Sequence, residues 1–189
     1  MEDLALDTRE RLPDALRVLL ADYPRDAWEA HPRFSGLVQF WLERHMMFRR
    51  LLELLETDND AMLDKALDPK TYGGRISRFG GMLVNQLHGH HQIEDLHYFP
   101  VLSGLEPKLD RGFGILDKDH QAMDGLLNRF TVSANGVLQA IGGGGEWTDP
   151  TAAFAGEVTA FGRMLRRHLE DEEDLIVPVI LKNGAAGLA

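Results

Sequence analysis

Apolar residues recur three and four positions apart along most of this chain, which is the spacing of one face of an α-helix. The clearest stripe, with a histidine in line with its apolar members, is formed by Phe34, Leu37, Val38, Trp41, His45, Phe48, Leu52 and Leu55. Alternating runs rich in Val, Ile and Thr, which would indicate β-strands, are scarce. The pattern therefore predicts an all-α protein.

Proline and glycine divide this pattern into long segments. Pro100 is expected to stop the second segment, the glycine run at 142–145 the third, and Pro178 to end or kink the fourth. A shorter N-terminal helix is expected over about 13–22, with Pro13 at its first position. The four long helices are predicted at about 33–56, 74–99, 110–141 and 150–177.

Four helices with modest connections favour an antiparallel up-down four-helix bundle. We expect this bundle to occupy residues 33–181 as a single domain. Residues 1–32 would form an N-terminal arm that contains the short helix, and residues 182–189 a flexible tail.

An internal repeat adds chemistry to this plan. A helix with one interior histidine is followed by a helix with a His-x3-Glu pair, and the order occurs twice. The first copy uses His45, His90 and Glu94, and the second uses His120, His168 and Glu172. Residues four apart lie on the same face of a helix, so each pair can present a nitrogen and an oxygen together.

A single His-x3-Glu pair is more often a surface contact than a ligand pair. In an up-down bundle, however, the four histidines lie at similar distances from their helix ends, so that all can meet in one layer. Burying four imidazoles and two carboxylates without a cation would be costly, and a pair of metal ions removes that cost. Two six-coordinate ions bridged by Glu94 and Glu172 would also accommodate the four histidines, a bridging oxide or hydroxide, a further protein ligand and an open position. Such nitrogen and oxygen donors suit iron or manganese better than tetrahedral structural zinc.

Composition excludes several other classes of site. Cysteine is absent, which excludes disulfides, thiolate nucleophiles and iron–sulfur clusters. The net charge of −10 argues against a nucleic-acid partner. We find no apolar run long enough to span a membrane and no export signal at the N-terminus, so we expect a cytoplasmic protein.

The combined pattern resembles the hemerythrin-like HHE cation-binding family over roughly residues 33–181. It consists of one histidine on each odd helix, and His-x3-Glu closed by proline on each even helix. The resemblance implies a four-helix bundle with a non-haem centre of two iron ions, oxo- or hydroxo-bridged when oxidised, in preference to manganese or zinc. It also implies dioxygen or peroxide as the small ligand. A protein partner, and the choice between a monomer and a homodimer, stay open.

One position departs from the family's oxygen carriers. They have two histidines four apart on the third helix, and the second of these positions is Asp124 in this chain. In some relatives the residue after the histidine of the second helix supplies the extra ligand, and His91 holds that place. We prefer His91 to Asp124 as the further ligand, which argues against reversible oxygen carriage.

The predicted function is oxygen or peroxide chemistry at this centre, in binding, sensing or detoxification. An oxidase, peroxidase or catalase-like activity is left open. The alternatives are a non-enzymatic module that buffers or responds to iron, and a metal-dependent hydrolase on the same bundle. The acidic residues around Glu172 are interpreted as a solvated face or, alternatively, as an iron-entry path; they are Glu170, Asp171, Glu173 and Asp174.

Overall fold

A computed structural model describes residues 4–34, 36–185 and 187–188 of the chain. No residue in these ranges belongs to a β-strand, and most belong to helices, which confirms the all-α prediction. The long helices are α1 (Leu37–Leu63), α2, α3 (Asp110–Gly142) and α4 (Thr148–Asn183). Helix α2 consists of five segments that follow one another without a break: Pro69–Arg75, Ile76–Gly80, Gly81–Ile93, Glu94–Tyr98 and Phe99–Leu105. The antiparallel up-down order of these long helices and the domain limits remain predictions. Residues 1–3, 186 and 189, which fall in the predicted arm and tail, lie outside the described ranges.

Helix α2 begins earlier and ends later than predicted. Asp68 caps its start, because its side chain accepts the backbone N–H of Thr71, and Pro69 takes the first position. Pro100 does not stop the helix, contrary to the prediction. The preceding segment Glu94–Tyr98 is a π-helix, in which Phe99 donates its backbone N–H to the carbonyl of Glu94. Pro100 therefore lies in the first turn of the next segment, where a missing donor is tolerated.

Helix α4 also runs through its proline and ends at Asn183, so the prediction that Pro178 could end it is wrong. The residues around Pro178 are almost fully buried in the core, including Val177, Val179 and Ile180. Their burial offsets the hydrogen bond that proline cannot make. Helices α1 and α3 agree with the predicted elements, although α1 is shifted towards the C-terminus by several residues.

The short N-terminal helix predicted over 13–22 is present as two 3-10 helices, Asp14–Leu16 and Val18–Ala21, in place of one continuous helix, and a third 3-10 helix covers Arg25–Ala27. A segment of this length has little helical stability of its own, so tertiary contacts decide its conformation. Leu12, Leu16 and Trp28 of the arm are buried in a core that they share with residues of α1 to α4.

The described residues fall into two compact units. Unit 1 contains Met1–Met46, His90–Gln121 and Arg166–Ala189, apart from the residues outside the described ranges. Unit 2 contains Met47–Gly89 and Ala122–Leu165, and its core includes a group of packed phenylalanine rings around Phe130. Within the described residues, no helix has a stretch both long and apolar enough to cross a membrane.

Candidate metal centre

All seven side chains predicted as metal ligands lie together in the interior of unit 1. Each has at most 9% of its surface exposed. Their potential ligand atoms form two groups, and the atoms within each group lie within 4.8 Å of one another. The first group is His45, His90, Glu94 and Glu172, and the second is His91, His120 and His168.

Each buried glutamate faces one histidine of each group. Glu94 places Oε1 3.1 Å from Nε2 of His90 and Oε2 3.8 Å from Nε2 of His120. Glu172 places Oε2 3.3 Å from Nε2 of His45 and 3.5 Å from Nε2 of His168. Both carboxylates thus lie against histidines of both groups.

The ring nitrogens of the second group face one another. Nδ1 of His120 lies 2.7 Å from Asp95, and Nδ1 of His168 lies 3.2 Å from Asp119. A carboxylate accepts hydrogen bonds, so in the neutral form of each ring Nδ1 carries the proton and Nε2 presents a lone pair. These two Nε2 atoms are only 3.1 Å apart. Two acceptors at this distance repel each other unless a cation lies close to both.

The first group has a similar arrangement. Nε2 of His45 lies 3.1 Å from Nε2 of His90, and Nδ1 of His45 donates to Glu173 at 3.0 Å. The indole N–H of Trp41 donates to Oε1 of Glu94 at 2.6 Å, and the Trp41 ring lies 4.2 Å from the His45 ring between centroids. Trp41 therefore fixes both a glutamate and a histidine of this group.

Burial sets the charge state of the cluster. It lowers the pKa of His90, His91 and His168 well below the ordinary value, and the neighbouring imidazoles add to this effect. Burial also raises the pKa of Glu94 to about 7. The pKa of Glu172 is raised well above its ordinary value, first by burial and then by the negative charge of Glu94. Neutral imidazoles are the form that binds metals, whereas the glutamates need a cation to ionise.

Several buried polar atoms have no hydrogen-bond partner among the described residues. Those on predicted ligands are Oε2 of Glu94, both carboxylate oxygens of Glu172 and Nε2 of His91, and the set is completed by Nδ2 of Asn59, Oγ1 of Thr151 and Nε of Arg167. Buried polar groups in folded proteins are almost always paired, and a bound ion is one of the standard explanations for an exception. The donor set contains nitrogen and oxygen without sulfur, which fits the metal ions expected from the sequence.

The structure distinguishes between the two candidates for the further ligand. His91 is buried in the second group, and its ring stacks on that of His120 with 4.0 Å between centroids. Asp124 is exposed and is not brought to the cluster. The ligand role of His91, like those of the other six side chains, remains a prediction.

The interpretation of the acidic residues around Glu172 as a solvated face is wrong for three of the four. Asp171, Glu173 and Asp174 have at most 5% of their surface exposed, and each pairs with an arginine of the N-terminal arm. Glu170 alone of the four is exposed. Arginine neutralises these carboxylates, which explains why they can be buried.

Sequence reasoning also missed the carboxylates that hold the histidine Nδ1 atoms. Asp95, Asp119 and Glu173 each lie next to a predicted ligand in the sequence. Adjacent residues on a helix point in directions about 100° apart, so spacing alone gave no sign that they support the same cluster. The signal in the sequence that could have identified these three carboxylates is their position directly beside a predicted ligand.

These features define a helical protein with a buried, nitrogen- and oxygen-rich cation-binding centre. Residues 36–180 match the model of the hemerythrin HHE cation binding domain, and the chain therefore belongs to that family. The comparisons with curated proteins and with solved structures returned no match.

Proposed function

We propose that this chain is a non-haem di-iron protein that binds or reacts with dioxygen or peroxide, in oxygen binding, sensing or detoxification. The observation that carries the proposal is the 3.1 Å approach of the His120 and His168 Nε2 atoms, whose Nδ1 atoms both lie against carboxylates. The buried carboxyl groups of Glu94 and Glu172 support it, since they lie against each other away from water and a cation between them would favour their ionised form.

The two groups of side chains suggest how two ions would be held. His45 and His90 would hold one ion, and His91, His120 and His168 the other, with Glu94 and Glu172 between them. A ferrous pair held there would supply two electrons to a small oxidising ligand. The first group offers two imidazoles and the second three, so a small ligand would meet fewer protein donors beside His45 and His90.

The remaining side chains prepare the centre for this role. Asp95, Asp119 and Glu173 hold the Nδ1–H of three imidazoles, which fixes their tautomer and directs Nε2 towards the cluster. Trp41 holds one oxygen of Glu94 and covers the His45 ring. Burial excludes bulk water, which favours small uncharged ligands such as dioxygen. The cytoplasmic location, and the monomeric or homodimeric state, remain predictions.

The test is to measure the metal content of protein purified anaerobically and reconstituted with ferrous iron, and then to follow its absorption on exposure to air. We expect about two irons per chain, and a new near-ultraviolet and visible absorption as oxygen is consumed. Iron binding without any reaction with oxygen or peroxide would instead favour the iron-buffering alternative. One zinc ion, or no metal, would contradict a di-iron centre.

A further inference from the structure

The N-terminal arm lies outside the residues matched by the family model, yet Arg9 reaches the centre's outer carboxylates. Arg9 is 7% exposed. It donates from Nη1 and Nη2 to the two oxygens of Asp119, and from Nε to Oδ2 of Asp171 at 2.7 Å. Asp119 in turn accepts Nδ1–H of His168 at 3.2 Å. A hydrogen-bonded chain thus runs from the arm to a ring of the second group.

Arg25 forms a second chain of the same kind. Its Nη1 donates to Oε2 of Glu173 at 2.8 Å, and its Nε donates to Oδ1 of Asp174 at 2.7 Å. The other oxygen of Glu173 accepts Nδ1–H of His45 at 3.0 Å. The arm therefore supports one histidine from each group through the same sequence of arginine, carboxylate and imidazole.

Docking of the arm is also linked to these carboxylates through its backbone. The N–H of Leu12 donates to Oδ1 of Asp171 at 3.0 Å, and the Leu12 side chain is fully buried. If the arm were displaced, Asp119 would lose the two Arg9 N–H donors that fix its carboxylate, and its orientation towards Nδ1 of His168 would no longer be held.

We propose that Arg9 and Arg25 are positioning residues of the metal centre, and that docking of the N-terminal arm and binding of metal favour each other. The proposal rests on the metal-binding function argued above. The arginines fix Asp119 and Glu173, and these carboxylates fix the tautomer and orientation of His168 and His45. Coupling between arm and metal is reciprocal by thermodynamic necessity. Metal binding should therefore slow proteolysis of the arm, and loss of either arginine should weaken metal binding.

The test compares Arg9→Met and Arg25→Met with a matched control, Arg17→Met. Arg17 also joins the arm to α4, but it does so through Asp174, at 2.9 Å from its Nε. Among the described contacts, Asp174 bonds to arginines and to no histidine. The measured quantity is the dissociation constant for cobalt(II), titrated anaerobically. We expect binding to weaken ~10–100-fold in Arg9→Met and Arg25→Met, the usual effect of losing an outer hydrogen-bond partner, and to stay near wild type in Arg17→Met.

A metal-free measurement separates positioning from general destabilisation. The ¹⁵N shifts of the His168 and His45 rings should report protonated Nδ1 in the wild type and in Arg17→Met. In Arg9→Met the His168 signals should change while those of His45 persist, and in Arg25→Met the reverse should hold. Arg9→Lys keeps the positive charge but loses the bidentate hydrogen bonding, so it should give an intermediate affinity. It replaces Arg9→Met in the comparison if that variant does not fold.

The outcomes are distinct. Wild-type protein that binds no cobalt or iron would overturn the proposed function and this inference with it. Wild-type binding with equal affinities in all three methionine variants, or with unchanged ring signals in Arg9→Met and Arg25→Met, would overturn the inference alone. Cleavage of the arm at the same rate with and without metal would also contradict it.

Discussion

Both units bury carboxylates beside arginines, and unit 1 also buries two carboxylates that face histidines instead. In unit 2, Asp58 is 3% exposed and pairs with Nε of Arg75 at 2.7 Å. In unit 1, Glu94 and Glu172 are fully buried and face histidines. The pKa values of Glu94 and Glu172 are raised, first of all by burial. This chain therefore pairs other buried acids with its own arginines, whereas Glu94 and Glu172 face histidines, as the proposed metal centre requires.

Removing the carboxylates one at a time tests whether the two kinds differ in their effect on metal binding, and it should give the largest effect. Glu94→Ala and Glu172→Ala should each abolish stoichiometric iron binding, with an affinity loss beyond the ~10–100-fold that follows from losing an outer partner. Asp58→Ala should lower the free energy of unfolding but leave about two irons per chain. Elemental analysis and urea denaturation of the three variants measure both quantities. If Asp58→Ala lost as much iron as Glu172→Ala, the two kinds of carboxylate would not differ in the proposed way.

Glu94 should contribute to the pH dependence of the free energy of unfolding of the metal-free protein. Its pKa is raised from 4.5 to about 7 in the folded state. A group with a raised folded pKa contributes stability that is fully present below the unfolded pKa and is lost as pH rises through the folded pKa. In chelator-treated protein this contribution should fall by on the order of 3 kcal/mol between pH ~4.5 and pH ~8. The buried His90, His91 and His168 oppose it, because their lowered pKa values make stability rise with pH up to the unfolded histidine pKa.

Urea denaturation of wild type and Glu94→Gln at several pH values measures this contribution as the difference between the two profiles, because the variant keeps the imidazoles and lacks the titrating carboxyl group. Asp58→Asn serves as the control, because it removes a buried acid of unit 2 and should keep the slope. Iron-loaded wild type should show no such loss, since the bound cation favours the ionised carboxylates. A wild-type stability that does not fall relative to that of Glu94→Gln as pH rises across this window would contradict the proposed state of Glu94.

The fold was predictable from the sequence where helical periodicity and local signals agree. The stripe through Val38, Trp41, Phe48 and Leu52 predicted the buried face of α1, and those four side chains are buried. Prolines were misleading, because Pro100 and Pro178 both lie inside continuous helices. The π-helical turn before Pro100 and the burial around Pro178 depend on tertiary packing, which a single-sequence pattern does not encode.

The cluster was predictable because its members repeat with helical spacing, and the side chains that support it were not. The His-x3-Glu repeat pointed to Glu94 and Glu172, which the structure brings together. Arg9 and Arg25 come from an arm without periodicity, and they meet Asp119 and Glu173 only after folding. Contacts between residues so distant along the chain leave no local signal in one sequence.

A substitution in unit 2 tests whether that unit contributes to stability without affecting metal binding, and we expect the smallest effect from it. The Tyr72 hydroxyl donates to Oδ1 of Asn59 at 2.7 Å, and both side chains are almost fully buried. Burial raises the Tyr72 pKa, so the hydroxyl stays a neutral donor. Tyr72→Phe would leave the Asn59 oxygen without this donor and should cost about 1–2 kcal/mol of unfolding free energy, read from urea denaturation with an unchanged slope. The cobalt(II) dissociation constant should equal that of wild type, since the variant is destabilised equally with and without metal. A weaker cobalt affinity in fully folded Tyr72→Phe would instead mean that unit 2 also affects metal binding. The two units would then differ only in the size of their effect on metal affinity.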